Sequence, residues 1–584
     1  MADAHGSGYD RRSFLRLGSG AIALGALASG AGGLVGSWPA AAATANDDFV
    51  EDSLDELQQA MAKGRVSSRE LTRWYLERID RLNPLLGAVI ETNPDALAIA
   101  ADRDRERRAG HLRGPLHGMP ILVKDNLATA DRMETTAGSL ALLGSRVAAD
   151  ATVVARLRAA GAVILGKANL SEWANFRGFG SINGWSARGG FTRNPYLLSF
   201  DPGGSSSGSA VSAAASLCAA AVGTETDGSI TYPAGLNSLV GLKPTVGLVA
   251  QQGIIPIAFS QDTAGPMART ATDAAILLGV LQSPFPAVGL TPPANLPADY
   301  RSFLQPGALR GARIGVDPLL FDFAAQGFPP ELAGQFDLTD ALAALTSAGA
   351  VVIDDVTSTD VFSVFDSELQ VLLSEFKVGI RRYLSTVSRS KMHNLADLIA
   401  FNTQHCDEEL VYFGQELFEM AQATSGLDDP AYTAARATCL TLTRQQGIDR
   451  AFRQHRLDAL IGPTFGVAST APAVAGYPHI SVPAGFDADG VPVGASLFAQ
   501  PWDEGKLLGF AFALEREAGF RRPPRLRGQV PPPPRRRGGR RKPASRSSAK
   551  AKPSSLPSSQ GCANRDAPTG TPAASKPPGT EMWG

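Results

Sequence analysis

The sequence predicts an α/β protein in which helices cover both faces of a central sheet. Apolar runs of strand length alternate along the chain with amphipathic stretches of helical length, a pattern typical of that class. The chain has 584 residues, 44% of them apolar, and we find no internal repeat. Its 61 glycines and 40 prolines make up about 17% of the chain, less than the ~25–30% typical of low-complexity sequence. We therefore expect one large globular domain with terminal segments attached to it.

The predicted helices begin at recognisable caps. Ser53 with Glu56, and Ser67 with Glu70, form capping-box patterns. Pro94 indicates a third helix start, because proline is favoured in the first turn of a helix. Helical patterns also occupy residues near 150–160, 272–282, 338–347 and 503–518. Residues 360–445 are mostly helical in pattern and could form a lid or a pocket-building insertion.

Short apolar runs between these helices are predicted as strands. They comprise residues 121–123, 162–165, 313–316, 351–353 and 459–461. In a sheet whose strands are joined by helices, ligand sites form at the strand ends. Polar residues that directly follow a predicted strand are therefore candidates for function.

Composition and charge exclude several functions. The formal net charge of −1 argues against a dedicated nucleic-acid-binding protein. The four cysteines are too scattered for a disulfide scaffold or a Cys-x₂-Cys site, and the seven histidines include no His-x-x-x-His pair. Gly161 to Lys167 matches the start of a nucleotide-binding loop, but Ala168 stands where Ser or Thr is required. We predict no metal, no cofactor and no nucleic-acid partner.

Residues 1–45 have the pattern of an export signal. The pair Arg11 and Arg12 precedes a Gly/Ala-rich apolar run and then a stretch of small residues. Paired arginines are typical of a twin-arginine signal, and the small residues place cleavage after Ala43 or Ala45. An uncleaved amphipathic or anchoring segment is the alternative, although the run is too weakly apolar for a stable transmembrane helix. We expect export by the twin-arginine machinery, to the periplasm or the medium.

Residues 527–584 differ in composition from the predicted body, residues 46–526. They contain 12 basic and 2 acidic residues and almost no large apolar side chains. Such a segment cannot offset the entropy lost on ordering, so we predict a disordered tail. The tail could bind acidic polymers or lipid headgroups, or it could be a solvated extension without a role. Deletion of residues 528–584 is expected to leave activity and melting temperature nearly unchanged.

Three segments are candidates for chemistry. The first, residues 117–126, places Lys124 directly after the strand predicted at 121–123. Taken alone, this lysine is better explained as a surface ion-pair residue. The third, residues 223–230, places small residues before Ser229. Such a turn lets backbone N–H groups converge, as an oxyanion hole requires, although a simple turn explains it as well.

The second segment, residues 203–209, is a Gly/Ser loop that opens a helix in an Ala-rich run. Its free backbone N–H groups could hold phosphate, but no Lys-Ser or Lys-Thr follows the glycines. Gly204 to Gly208 matches Gly-x-Ser-x-Gly, which would make Ser206 an elbow nucleophile. A polar loop that serves another nucleophile and a plain helix start are the other interpretations.

Together, these segments resemble the amidase signature family. The blocks that carry the resemblance are residues 117–126, 166–173, 200–247, 260–267 and 475–485. The resemblance extends over residues 50–526. It implies the family fold, an α/β/α sandwich around a mixed central sheet.

The resemblance also implies a Ser-Ser-Lys mechanism of amide hydrolysis, which overrides Ser206 as the nucleophile. Ser229 stands at the position of the acyl nucleophile, 24 residues after Ser205, the bridging serine that follows a cis peptide bond in the family. Lys124 stands at the position of the base. The implied oxyanion hole consists of the backbone N–H groups of Thr226, Asp227, Gly228 and Ser229. An exposed lysine is charged at pH 7, so burial must lower the pKa of Lys124 for this role.

Two departures from the family pattern narrow the expected substrate. Many members have Gly-Gly-Ser-Ile-Arg at the nucleophile, whereas Asp227 and Thr231 occupy the first and last of those positions here. This form resembles exported bacterial amidases of the peptide-amidase type, which hydrolyse C-terminal carboxamides of peptides. The expected substrate is therefore a small-molecule or peptide amide. The alternatives are a non-catalytic binding protein and the glutamine-hydrolysing subunit of a tRNA-dependent amidotransferase.

Overall fold

The computed structural model describes residues 48–534 and residue 536. The predicted signal, residues 1–45, and most of the predicted tail, residues 527–584, lie outside the described residues. Among the described residues, no helix combines the length and the apolar character needed to cross a bilayer.

Helices and strands alternate along most of the described chain. The α-helices α1 to α16 are Leu54–Ala62, Ser68–Leu86, Ala96–Arg108, Thr152–Ala159, Ser207–Ala214, Thr231–Gly235, Ala271–Leu281, Pro318–Phe321, Thr339–Ser347, Phe365–Leu384, Leu395–Gln404, Glu416–Ala423, Pro430–Leu440, Asp449–His455, Thr470–Ala475 and Glu504–Ala518. The strands β1 to β15 are Val89–Thr92, Pro120–Lys124, Arg146–Val147, Val163–Ala168, Trp185–Ser186, Gly190–Phe191, Ala220–Glu225, Val240–Lys243, Thr263–Ala268, Arg313–Val316, Val351–Ile353, Val387–Ser388, Ala459–Pro463, His479–Phe486 and Pro492–Phe498.

The central sheet has eleven strands, in the order β1-β4-β2-β7-β9-β8-β14-β15-β13-β10-β11. Neighbours are parallel within β4-β2-β7 and β13-β10-β11, and antiparallel elsewhere. Every residue of β2, β4 and β7 is buried. Because successive side chains of a strand point to opposite faces, both faces of the sheet are covered there. The predicted α/β/α sandwich around a mixed sheet is confirmed.

The capped helices begin where the sequence predicts them. Each of Ser53 and Ser67 accepts a hydrogen bond from the backbone of the glutamate three residues later, and each glutamate accepts from the serine N–H in return. The third helix begins at Ala96, two residues after Pro94. The remaining predicted helical stretches correspond to α4, α7, α9 and α16.

The strand predictions were correct but incomplete. The five predicted runs lie in β2, β4, β10, β11 and β13. The sequence did not indicate β7, β8, β9, β14 or β15, which form the middle of the sheet. Each of these strands contains Gly, and most also contain Ala or Pro, residue types that are depleted in strands and that interrupt the apolar runs by which a strand is recognised. Their pairing with neighbouring strands, rather than local propensity, makes them strands.

The Ala-rich run after the Gly/Ser loop divides into two elements. Helix α5 ends at Ala214, Ser216 adopts a positive φ of 53°, and strand β7 begins at Ala220. The helix predicted at this loop is therefore shorter than the Ala-rich run. Strand β7 pairs with β2 on one side and β9 on the other. This pairing brings the end of β7 beside the end of β2, where Lys124 lies.

Residues 360–445 are mostly helical, as predicted, and include α10 to α13. Leu373, Phe376 and Ile380 of α10 pack with Leu417 and Phe418 of α12 in a hydrophobic cluster separate from the main core. Trp173 and Phe176, which lie outside the insertion, belong to the same cluster and contact Phe418 and Phe376. The insertion is therefore held on the body by apolar contacts.

Tertiary contacts extend slightly beyond the predicted body. Leu198 N–H donates to the carbonyl oxygen of Arg527 at 2.8 Å. The Arg527 guanidinium donates to the carbonyl oxygen of Gly490 at 2.7 Å. Arg527, which we assigned to the tail, therefore packs on the body.

Candidate active site

Lys124, the last residue of β2, is a fully buried amine surrounded by oxygen atoms. Its Nζ lies 2.7 Å from Ser205 Oγ, 2.9 Å from Thr224 Oγ1 and 3.2 Å from the carbonyl oxygen of Thr224. Burial lowers the pKa of Lys124 to about 7, although Glu225 and Asp262 act in the opposite direction. In a large fraction of the molecules, the Lys124 amine is therefore neutral near pH 7, and a neutral amine can accept a proton.

The Gly/Ser loop has a backbone that only glycine permits. Gly203 has a φ of 74°, and a Cβ there would lie 2.5 Å from the Cα of Pro233. The Gly204–Ser205 peptide bond is cis, as the family resemblance implies. Ser205 is fully buried, and its carbonyl oxygen accepts a hydrogen bond from Ser171 N–H at 3.0 Å. The loop thus holds the Ser205 hydroxyl against Lys124.

Ser206, the residue of the elbow interpretation, has its hydroxyl engaged by the backbone. Ser206 Oγ donates to the carbonyl oxygen of Thr224 at 3.0 Å and accepts from Thr224 N–H at 3.3 Å. The residue is fully buried, whereas an elbow serine presents its hydroxyl to substrate. Its backbone N–H donates to the carbonyl oxygen of Ser229 at 3.2 Å. Ser206 therefore links the Gly/Ser loop to the Ser229 turn, and its geometry does not favour a nucleophile.

Ser229 lies in the turn between β7 and α6. The preceding Gly228 has a φ of 74°, a left-handed conformation that glycine adopts without steric cost. Ser229 keeps 8% of its surface exposed, whereas Lys124 and Ser205 keep none. Of these three residues, only Ser229 can be reached by a substrate without a rearrangement.

The same turn offers backbone donors beside Ser229. In the hydrogen-bond pattern of the described residues, the N–H groups of Asp227, Gly228 and Ser229 have no acceptor. Thr226 Oγ1 donates to Asp262 Oδ1 at 2.6 Å, and Thr470 Oγ1 donates to Asp227 Oδ2 at 2.9 Å. These side-chain bonds hold the turn while its N–H groups stay free, which is the arrangement an oxyanion hole requires.

Sequence reasoning missed Thr224, although it lies within the segment 223–230. Its hydroxyl contacts Lys124 and accepts a hydrogen bond from Asn126 Nδ2 at 2.9 Å, and its backbone binds Ser206. The missing signal was that residues 220–225 form a strand. Side chains of consecutive strand residues point to opposite faces of the sheet. Once the strand is known, Thr224 and Glu225 are therefore assigned to different faces, and only Thr224 lies on the face of Lys124.

Helix α10 of the insertion contacts the site through two carboxylates. Glu375 Oε2 accepts from Ser260 N–H at 2.9 Å, and Glu368 Oε1 accepts from Gln261 Nε2 at 2.8 Å. Asp262, the next residue, is the acceptor for Thr226 in the Ser229 turn. The insertion therefore braces the turn from outside, which agrees better with the pocket-building alternative than with a free lid.

The described residues include no group of three or more His, Cys, Asp or Glu side chains arranged to hold a metal ion. Lys124 Nζ and Ser205 Oγ are in hydrogen-bond contact, and the bond from Ser206 N–H to the Ser229 carbonyl oxygen holds the Ser229 turn against the same loop. The site thus places a buried amine beside a buried hydroxyl, with a partly exposed hydroxyl on the neighbouring turn. Such an arrangement suits acyl transfer by a serine.

Comparisons with known proteins identify relatives of the whole body. A family model for amidases matches residues 70–473, a range that includes Lys124, Ser205 and Ser229. The native peptide amidase of Stenotrophomonas maltophilia is 51% identical in sequence, and its structure matches with a TM-score of 0.77. That match covers 82% of this chain and 99% of the peptide amidase.

Two further relatives place this similarity in context. A protein of Arabidopsis thaliana named "Probable amidase" is 43% identical over 486 residues, which cover 81% of this chain and 91% of the relative. A glutamyl-tRNA(Gln) amidotransferase subunit of Cereibacter sphaeroides is more distant. It is 33% identical over 81% of this chain and 99% of its own length.

Proposed function

Because the chain belongs to the amidase signature family and is a hydrolase of amides, we propose that it removes C-terminal carboxamides from peptides through Ser229, Ser205 and Lys124. The observation that carries these roles is the buried Lys124 Nζ, 2.7 Å from Ser205 Oγ. The peptide substrate is supported by the 51% identity to a peptide amidase, against 33% to a subunit of an amidotransferase.

In the proposed mechanism, Lys124 acts as a neutral amine. Its two N–H groups donate to the carbonyl oxygen and the hydroxyl of Thr224, which leaves the lone pair directed at Ser205 Oγ. Lys124 then takes the proton of Ser205, and Ser205 takes the proton of Ser229. This relay converts Ser229 into a nucleophile without a histidine.

The rest of the cycle follows from the turn that carries Ser229. Its Oγ bonds to the carbonyl carbon of the amide, and the resulting oxyanion is stabilised by the N–H groups of Thr226, Asp227, Gly228 and Ser229. The C–N bond breaks as the relay runs backwards and returns the proton to the leaving nitrogen, which departs as ammonia. Water then adds to the acyl-enzyme, and the C–O bond to Ser229 breaks to release the acid.

A panel of substrates tests the reaction class. The panel contains a peptide C-terminal carboxamide, an aliphatic amide, an aromatic amide and free glutamine, and the readout is ammonia release. We expect the highest kcat/KM with the peptide carboxamide. A preference for glutamine would favour the amidotransferase alternative, and no turnover of any amide would favour a binding protein.

A pair of serine variants tests the assignment of the nucleophile. Ser229→Ala should lower kcat by a factor on the order of 10⁵ or more, as loss of a serine nucleophile does in other hydrolases. Ser206→Ala should retain activity within about tenfold, because it loses hydrogen bonds to Thr224 and no reacting atom. A fluorophosphonate should label the wild type and Ser206→Ala only. The opposite pattern would make Ser206 the nucleophile and direct the search to a histidine base such as His479.

We also propose that the protein is exported by the twin-arginine machinery to the periplasm or the medium. The support is the Arg11-Arg12 pair followed by small residues that end at Ala45. The mature chain is then expected to begin at Thr44 or Asn46. Replacement of both arginines by lysine should retain the protein in the cytoplasm, and normal export of that variant would contradict the proposal.

A further inference from the structure

The carboxylate of Glu225 binds the turn that carries Ser229. Glu225 Oε2 accepts hydrogen bonds from the backbone N–H groups of Ile230 and Thr231, at 2.7 and 2.9 Å. It also accepts from Thr231 Oγ1 at 3.2 Å. Ile230 and Thr231 directly follow Ser229, so this one oxygen atom holds the chain at the exit of the turn.

Glu225 is also adjacent to the residue that binds Lys124. Thr224 and Glu225 are the last two residues of β7, and side chains of consecutive strand residues point to opposite faces. Thr224 contacts Lys124 Nζ on one face, and Glu225 holds the Ser229 turn on the other. The end of one strand therefore connects the proposed base with the proposed nucleophile.

The other carboxylate oxygen of Glu225 faces His479 of β14. Glu225 Oε1 lies 3.9 Å from His479 Nδ1, too far for a hydrogen bond, and both groups are buried. Within the described part of the chain, Glu225 Oε1 and both ring nitrogens of His479 have no hydrogen-bond partner. Burial lowers the pKa of His479, so the imidazole is neutral near pH 7. His479 therefore provides no full positive charge that would cancel the charge of Glu225.

We propose that Glu225 is a positioning residue of the reaction. Its carboxylate fixes the Ser229 turn, and its negative charge, at the same end of β7 as the contact between Thr224 and Lys124, stabilises the charged form of the Lys124 amine. The proposal rests on the function proposed above. Glu225 makes no contact with the reacting atoms in this scheme. It acts through the residues that it holds and through its electric field.

The charges around the two residues support this role. Burial raises the pKa of Glu225, but the charge of Lys243 and the hydrogen bonds from Ile230 and Thr231 favour the carboxylate, and the pKa lies below its ordinary value, so the group is ionised near pH 7. Burial lowers the pKa of Lys124, and the charge of Glu225 is the largest influence that raises it, followed by that of Asp262. Burial raises the pKa of Asp262 to about 7, so Asp262 carries only part of a charge there. Asp227 of the turn is also acidic and faces Glu225, with a pKa raised by burial to about 6.

The consequence for catalysis concerns the strength of the base. A nearby negative charge makes an amine more basic, whereas burial makes it less basic. Together they keep Lys124 titrating near neutral pH, where a general base is most effective. Without Glu225, Lys124 would be neutral at lower pH but would be a weaker base.

The experiment compares pH profiles of kcat/KM for a peptide carboxamide. Glu225→Gln keeps an oxygen that can accept from Ile230 and Thr231 but removes the charge. The acid limb of its profile, the range in which kcat/KM rises with pH, should move to lower pH by on the order of one pH unit. The matched control is Glu515→Gln, since Glu515 also accepts a backbone N–H at a helix start, from Ala271 at 2.8 Å. The control limb should coincide with that of the wild type.

Two outcomes would overturn the inference. In one, the limb of Glu225→Gln coincides with the wild-type limb. In the other, it moves no further than that of Glu515→Gln.

If Glu225→Gln does not fold, Glu225→Asp decides, because it keeps the charge and moves it back by one methylene. A reduced kcat with an unmoved limb would support the proposal, and wild-type rates at every pH would overturn it. An active Ser229→Ala variant, measured alongside, would instead show that the proposed function fails.

Discussion

Two buried lysines lie at the same end of neighbouring strands of the sheet, and only one of them faces a serine. Lys124 of β2 and Lys167 of β4 are both fully buried, and their strands are parallel, with Lys124 opposite Ala168. Burial lowers the pKa of Lys124 to about 7 and that of Lys167 to about 8. Burial and a low pKa are therefore shared by the two regions and cannot by themselves define a catalytic base.

The groups that face each amine make the difference. Lys167 Nζ donates to the carbonyl oxygen of Leu127 and to Thr135 Oγ1, and the acidic group that most favours its charged form is Asp125. Lys124 Nζ instead lies against the hydroxyl of Ser205, which has a proton to give. Lys167 donates to two oxygen atoms of a network that favours its charged form, whereas in the proposed relay Lys124 accepts the proton of Ser205. The comparison teaches that the neighbour of a buried amine, more than its pKa, decides its chemistry.

The largest effect expected from this comparison is on activity. Lys124→Met should lower kcat/KM by about 10²–10⁴, the usual contribution of a general base. Lys167→Met, the matched change one strand away, should stay within about tenfold of the wild type once corrected for folded protein. Steady-state ammonia release measures both. Equal losses in the two variants would mean that the two lysines do not differ in role.

The second effect is on stability, and here Lys167→Met is expected to have a larger effect than Lys124→Met. Lys167→Met removes two hydrogen bonds of an ammonium, to the Leu127 carbonyl oxygen and Thr135 Oγ1. At about 1.5–3 kcal/mol for each bond of a charged group, it should lower the free energy of unfolding by about 3–5 kcal/mol. Lys124→Met should cost less, because it mainly removes hydrogen bonds of about 1 kcal/mol each. Urea unfolding followed by tryptophan fluorescence compares them. A larger loss for Lys124→Met would contradict this assignment of roles.

The smallest effect is on the pH profile. A lysine base works only when neutral, so wild-type kcat/KM should rise with pH, up to tenfold per pH unit below the pKa of Lys124, and level off above about 7. Lys167→Met should keep this limb, because its amine takes no part in the relay. Lys124→Met should lose the limb and recover little activity at high pH. A limb that disappears in Lys167→Met instead would assign the titration to the other lysine.

Much of the fold could be predicted from local sequence. The capping boxes at Ser53 and Ser67 and the apolar runs such as 121–123 report structure formed by neighbouring residues, and the structure contains them. The strand β7 could not be predicted this way, because four of its six residues, Ala220, Ala221, Gly223 and Glu225, are of types that are depleted in strands. It is a strand because β2 and β9 pair with both of its edges.

The sequence by itself determined the family resemblance and the spacing between Ser205 and Ser229, since both are properties of the order of residues. The local pattern alone could not distinguish Lys124 from Lys167, because each lies at the end of an apolar run, and only the family resemblance pointed to Lys124. The tertiary structure supplied the physical difference, by placing Lys124 beside Ser205, 81 residues away, and beside Thr224, 100 residues away. The physical reason is that desolvation and hydrogen-bond partners depend on three-dimensional surroundings, which a pattern of neighbouring residues does not contain.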